Sequence, residues 1–210
     1  MFVVTTRKYT QQARAAAADE TRRSILEAMR NRLRAAPSEA LSIERVAQDA
    51  GVARSTVYVV FGSKAGLFEA LGQDLLERTG FQRIVDAVAL PDARDAVRES
   101  LRAAAGVYAS ERDVARTIYS MWSLEPEAVR GAFEVVERGR AEGQRQLAGR
   151  LAEQGHLHPD VTVEEATDIL WVITSFETFD QLYTGRGLSE EETAARLVTM
   201  AERSLWAPHG

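Results

Sequence analysis

The sequence predicts an all-α protein, and three observations carry that expectation. Apolar residues recur at helical spacing along almost all of the 210 residues. No run alternates like a half-buried strand bounded by hairpin turns. N-cap residues stand ahead of several apolar stripes. About nine helices fit: an N-terminal three-helix unit containing a helix-turn-helix, then a longer helical body.

Taken in order, Ile25, Met29 and Leu33 form one stripe of a first helix that ends before Pro37. The alanines at 15–18 belong to an arm or to the start of that helix. A short helix follows Ser42, another begins near Arg54, and a longer one starts at Ser63 and carries Leu67, Phe68, Leu71 and Leu75. Downstream, Asp92, Ser110, Thr162 and Ser189 stand at N-cap positions. Each has an acid three residues later (Asp95, Asp113, Glu165, Glu192), near the positive end of its helix. Pro126 suits a first helical position. The helix after Thr162 is expected to run through Tyr183.

Composition excludes several classes. The chain has no cysteine, so disulfide frameworks, thiolate zinc sites and cysteine nucleophiles are ruled out. The stretch from Ile169 to Phe176 is far shorter than the ~20 apolar residues of a membrane span. The start, MFVVTTRKYTQQ, lacks the order of a secretory signal, so no export is expected and the cytoplasm is the expected compartment.

The net charge of −5 conceals an asymmetry: residues 1–64 hold eleven bases against six acids, a local +5 that leaves −10 for the remainder. A basic module joined to an acidic body suits a protein that touches phosphate at one end only.

The most informative segment is residues 41–71, LSIERVAQDAGVARSTVYVVFGSKAGLFEAL. Ala47 lets two helices approach closely, and Gly51, four residues on, allows a positive φ in the turn between them. Val46, Val52 and Val57 supply the apolar contacts that lock the pair. The outer face of the second helix is left free to enter a major groove N-terminus first, with Arg54, Ser55 and Thr56 suited to base edges and phosphate.

This segment resembles the tetracycline-repressor (TetR) family in Ala50, Gly51, Val52, Thr56, Val57, Tyr58, Phe61 and Lys64. The resemblance implies that Tyr58 and Lys64 contact phosphate, Lys64 from the start of the connecting helix, and that Phe61 is core. Val59 and Val60 depart from the family, many of whose members carry polar or basic residues there. Val59 can still touch a thymine methyl, whereas Val60 is expected to pack. Ser42 completes the expected DNA-contact set. The organisation that follows is a basic arm at 1–16, a DNA-binding domain at 17–64 and a ligand-binding and dimerisation domain at 65–210.

The helices after Thr162 and Ser189 look like the family's dimerisation pair. On the later one, Ala194, Leu197, Val198, Ala201 and Leu205 form one stripe. On the earlier one, Ile169, Val172, Ile173, Phe176, Phe179 and Tyr183 line one face, with Trp171 and Leu182 opposite. A helix apolar on both sides needs two partners, so Trp171, Leu182 and the later stripe are the expected dimer contacts, with burial inside a single chain as the alternative.

A ligand cavity is expected among Tyr108, Ile118, Tyr119, Trp122, Phe133, Trp171, Thr174 and Phe176, whose aromatic walls suit an apolar or aromatic molecule. Glu177 faces either that cavity, favouring a cationic ligand, or solvent or the subunit interface.

The family resemblance implies a dimer on palindromic operator DNA, released when a small effector moves the connecting helix. Activation and ligand-enhanced binding remain alternatives. An enzyme finds little support: His156 and His158 make a weak metal-like pair, and no phosphate loop, nucleophile elbow or carboxylate pair stands out. No cofactor, metal or membrane is expected as a partner.

Overall fold

The computed structural model of the protein describes residues 4–35 and 41–206. Within them run eleven helices: α1 (Val4–Ala35), α2 (Ile43–Asp49), α3 (Arg54–Phe61), α4 (Lys64–Arg78), α5 (Gln82–Val88), α6 (Ala93–Ser110), α7 (Arg112–Leu124), α8 (Pro126–Glu153), α9 (Val163–Ile173), α10 (Phe176–Tyr183) and α11 (Glu190–Leu205). Among the described residues, extended pairing is limited to one isolated bridge between Leu157 and Trp206. No helix there is long and apolar enough to cross a membrane. Pro37 lies outside the described residues.

The local signals act as their chemistry requires at most helix starts. The Asp92 carboxylate accepts the Arg94 and Asp95 N–H groups, and Pro126 opens α8. Thr162 and Ser189 each form a full capping box, with Glu165 and Glu192 reaching back to the cap's own N–H. Ser110 does not cap. It is the last residue of α6, its hydroxyl donates to Val107 O at 2.8 Å, and α7 starts from Glu111 with no side-chain cap.

Two differences raise the count above nine. α5 is a seven-residue helix with no side-chain cap, too short for its apolar spacing to stand out. The expected long helix after Thr162 is broken at Thr174–Ser175. Ser175 is extended (φ −72°, ψ 150°), and its hydroxyl oxygen accepts the Thr178 N–H to start α10.

The break frees backbone carbonyls, and side chains collect them. Arg140 donates to Trp171 O at 2.6 Å, Thr178 Oγ1 to Val172 O at 2.7 Å, and Tyr108 OH to Thr174 O at 3.1 Å.

One hydrophobic core joins α1–α4 to α7 and α8: Ile25, Met29, Val46, Val57, Phe61, Leu67 and Leu71 pack with Val114, Ile118, Met121, Val129 and Ala132. A second lies under α6, α8, α9 and α11, and a small third gathers Ala105, Phe176, Phe179 and Ala194. Packing is therefore continuous across residue 64. α4 lies so close to α8 that a Cβ on Gly72 would sit 3.0 Å from Ala132 Cα.

Candidate nucleic-acid interface and ligand cavities

The α2–α3 pair is built by its small and branched residues. Val46, Ala47 and Val57 are buried, and Gly51 takes φ 68°, a left-handed conformation that admits glycine without strain. The turn closes through Val52 N–H to Ala47 O at 2.9 Å. α1 holds the pair from behind: Arg32 Nε lies 2.6 Å from Asp49 Oδ2, and Ser24 Oγ donates to Ala50 O at 3.2 Å. Phe61 is core, with the Arg22 guanidinium 5.0 Å over its ring.

This support leaves the outer face of α3 bare. Val59 is 85% exposed and Tyr58 39%, while Val60 packs against the core. Arg54 and Ser55 are exposed and Thr56 is half-buried. The Arg54 guanidinium lies 5.6 Å from the Tyr58 ring centroid and donates to its hydroxyl at 3.4 Å, so the two are held together on one face. No side chain caps α3, which leaves its first N–H groups to outside acceptors. Ser42 stands at the N-cap of α2, its oxygen accepting the Arg45 N–H. Lys64 opens α4 and is ion-paired with Glu125 at 3.1 Å.

The body holds two adjoining cavities, both walled by Leu76, Val107, Tyr108 and Val136. The smaller, about 90 Å³, also meets Gly72, Leu75, Ile118, Tyr119, Phe133 and Glu137. The larger, about 460 Å³, lies between α5, α6 and α8 and meets Phe81, Ile84, Val88, Arg140, Gln144 and Thr174. Tyr108, Ile118, Tyr119 and Phe133 thus share the smaller cavity, and Thr174 lines the larger.

The other expected pocket residues line neither cavity. Trp122 stacks on Phe133 with ring centroids 4.3 Å apart. Phe176 is buried against Tyr108 and Tyr119. Trp171 lies beneath the Arg140 guanidinium at 3.5 Å, and Glu177 is exposed on α10.

Between the cavities sits a polar cluster that sequence reasoning missed. Glu137 and Arg140 pair at 2.5 Å, Tyr119 OH donates to Glu137 Oε1 at 3.0 Å, and Arg140 Nη1 donates to Trp171 O and to Thr174 Oγ1. Burial pushes the Tyr108 and Tyr119 phenols far above their ordinary range, so both remain neutral donors. The spacing Glu-x-x-Arg occurs twice more on α8, as Glu127–Arg130 and Glu142–Arg145, where the pairs are exposed. Spacing alone therefore cannot single out the enclosed one.

The expected dimer stripe is corrected by burial. Ala194, Leu197, Val198, Ala201 and Leu205 are buried inside the chain, on a helix that packs mainly against α6 and α9. Leu182 also packs on that core. The large apolar side chains exposed on α9 and α11 are Val172, at 59%, and Met200, at 40%. His156 faces Asp92 at 3.6 Å, and among the described residues no group of three or more acids and histidines is placed to hold a metal.

Residues 25–71 match the sequence profile of the bacterial regulatory proteins of the tetR family. No curated protein sequence matches the chain. Among solved structures, native NalD from Pseudomonas aeruginosa, the secondary repressor of the MexAB-OprM multidrug efflux pump, superposes with a TM-score of 0.68 at 23% identity, covering 92% of this chain and 100% of NalD. PfmR, a TetR-family transcriptional regulator from Thermus thermophilus, superposes with a TM-score of 0.65 at 22% identity, covering 86% of this chain and 97% of PfmR. At such identities the likeness concerns the fold. The tetR-family profile thus falls on the helix-turn-helix, and nearly all of the chain's length shares the fold of these solved regulators.

Proposed function

We propose that the protein is a TetR-family transcription regulator, a cytoplasmic, ligand-responsive repressor that binds a palindromic operator as a homodimer and releases it when a small apolar or aromatic molecule enters the body. The observation that carries the reading is the course of α4. Its first residue, Lys64, follows the end of α3 after a two-residue turn, and Leu76, three turns on, walls both cavities. A ligand that displaces Leu75 or Leu76 acts on the same rigid helix that positions Lys64.

In this reading Arg54, Ser55, Thr56 and Val59 meet base edges, Tyr58, Lys64 and Ser42 hold backbone phosphates, and residues 17–64 act as the DNA-binding domain. Residues 65–210 carry the effector and the dimer contacts, which use the outer faces of α9 and α11 around Val172 and Met200. NalD, of the same fold, is a repressor, which supports this direction of response. A dimer would present two α3 helices roughly 34–36 Å apart, one turn of DNA.

Selection from a random 40-bp duplex pool, followed by footprinting, tests the docking. A palindromic site bound by the wild type and lost in the Tyr58→Ala, Lys64→Ala double variant is the expected result. Undiminished binding by that variant overturns it. An effector found by screening should weaken that site by about 5–150-fold, the usual span of allosteric coupling.

A further inference from the structure

The larger cavity carries a chemical specification of its own. Gln144 projects from α8 into its lining, is only 7% exposed, and its Oε1 is buried with no hydrogen-bond partner among the described residues. A buried acceptor without a donor is destabilising, and an exception of this kind needs a reason. Ser100 lines the same cavity from α6 and is also buried. Its hydroxyl proton is engaged with Val97 O at 3.0 Å, which leaves its oxygen free to accept.

The charges around the cavity are already compensated. Arg140 is held by Glu137 at 2.5 Å, and its remaining donors go to Trp171 O and Thr174. Glu142, exposed at the mouth, pairs with Arg145 at 3.0 Å. Tyr108 is neutral, because burial raises its phenol. The rest of the wall is hydrocarbon, including Phe81, Ile84, Val88, Ala104 and Leu147. A charged ligand would lose its hydration and find no free counter-charge. At about 460 Å³ the space lies within the range of small-molecule pockets.

We infer that the larger cavity selects an uncharged amphipathic molecule, with an aliphatic or ring body against the hydrocarbon wall and one hydroxyl or amide group hydrogen-bonded by Gln144. This rests on the reading of the body as an effector domain and adds to it the polarity and charge of the effector.

The test uses the full chain without DNA and three probes of equal length: decan-1-ol, decanoate and decylammonium, each titrated by calorimetry. Decan-1-ol should bind at least tenfold more tightly than either ion. Gln144→Leu should weaken decan-1-ol about fivefold, the effect of one hydrogen bond, and should raise the melting temperature of the free protein because the orphaned acceptor is gone. Gln144→Glu, checked for folding by circular dichroism, should make decylammonium the tightest of the three.

Equal or tighter binding of either ion to the wild type overturns the inference. So does failure of all three to bind, or unchanged decan-1-ol affinity in Gln144→Leu. Selective binding that leaves operator affinity unaltered upholds the inference and overturns the ligand-release reading, so the two fail separately.

Discussion

Lys64 Nζ lies 3.1 Å from Glu125 Oε2, which joins the first residue of α4 to the residue that precedes α8. The lysine expected on a DNA phosphate thus already has an anionic partner within the chain. Both side chains keep partial solvent access, so the pair is a weak tether that a phosphate can replace.

Glu125→Gln should therefore free Lys64 and tighten binding to all DNA sequences alike, by up to about fivefold, since exposed pairs contribute ~0–1 kcal/mol. Lys64→Ala should weaken all sequences and lower the salt slope by about 1. Fluorescence anisotropy at several salt concentrations measures both. A change in Glu125→Gln restricted to one sequence would contradict the phosphate role.

Gly66→Ala should destabilise the protein although the residue is helical. A Cβ there would overlap Phe61 O, a backbone atom that cannot move aside without shifting the α3–α4 junction. The ~1 kcal/mol that alanine ordinarily gains over glycine in a helix is outweighed by an overpacking cost of ~1–3 kcal/mol. Urea denaturation should show a lower midpoint, and a raised midpoint would refute the clash.

The largely enclosed Glu137–Arg140 pair predicts an asymmetric mutational response. Arg140→Met leaves the Glu137 carboxylate without its cation and Trp171 O without its donor, and should cost ~3–5 kcal/mol. Adding Glu137→Leu should recover part of the loss, because no unpaired charge then remains. Equal stability of the single and double variants would show that the pair is not coupled.

A pH response is expected at Asp180, which links α10 to α7. Burial pushes its carboxyl up, but hydrogen bonds from Thr184 and Arg112 and the charges of Arg112 and Arg116 outweigh this and hold it below its ordinary value. A carboxyl lowered in the folded state contributes stability in full above its unfolded pKa, about 3.9, and loses it as pH falls through the folded value. Thermal melts should show wild type more stable than Asp180→Asn at pH 7, with the gap closing below about pH 4. A gap that stays constant down to pH 3 would assign the difference to packing.

Burial also separates folding from dimerisation on α11. Leu197→Arg places a charge in the chain's own core and should unfold it, whereas Val172→Arg with Met200→Arg should leave a folded protein that sediments as a monomer. A folded dimer in that double variant would move the proposed interface off these faces.

What the sequence determined by itself was local. Helix starts at Asp92, Thr162 and Ser189 follow from side chains that bond N–H groups two or three residues away, and the turn at Gly51 from a missing Cβ, so neither waits on distant parts of the chain. The helix-turn-helix was legible for the same reason: Val46, Ala47, Val52 and Val57 lie within a dozen residues, and their spacing alone turns Arg54 and Val59 outward.

Only the tertiary structure decided which of two equivalent faces is buried. Periodicity showed an apolar stripe on α11 but not whether its partner was another subunit or α6 and α9 of the same chain. Three Glu-x-x-Arg pairs on α8 read alike, and the one at Glu137 differs by partners from other elements, Tyr119 on α7 and the Trp171 carbonyl near the end of α9. The cavity at Gln144 is formed by α5, α6 and α8, segments up to about sixty residues apart, and such coincidences of distant surfaces leave no periodic trace along the chain.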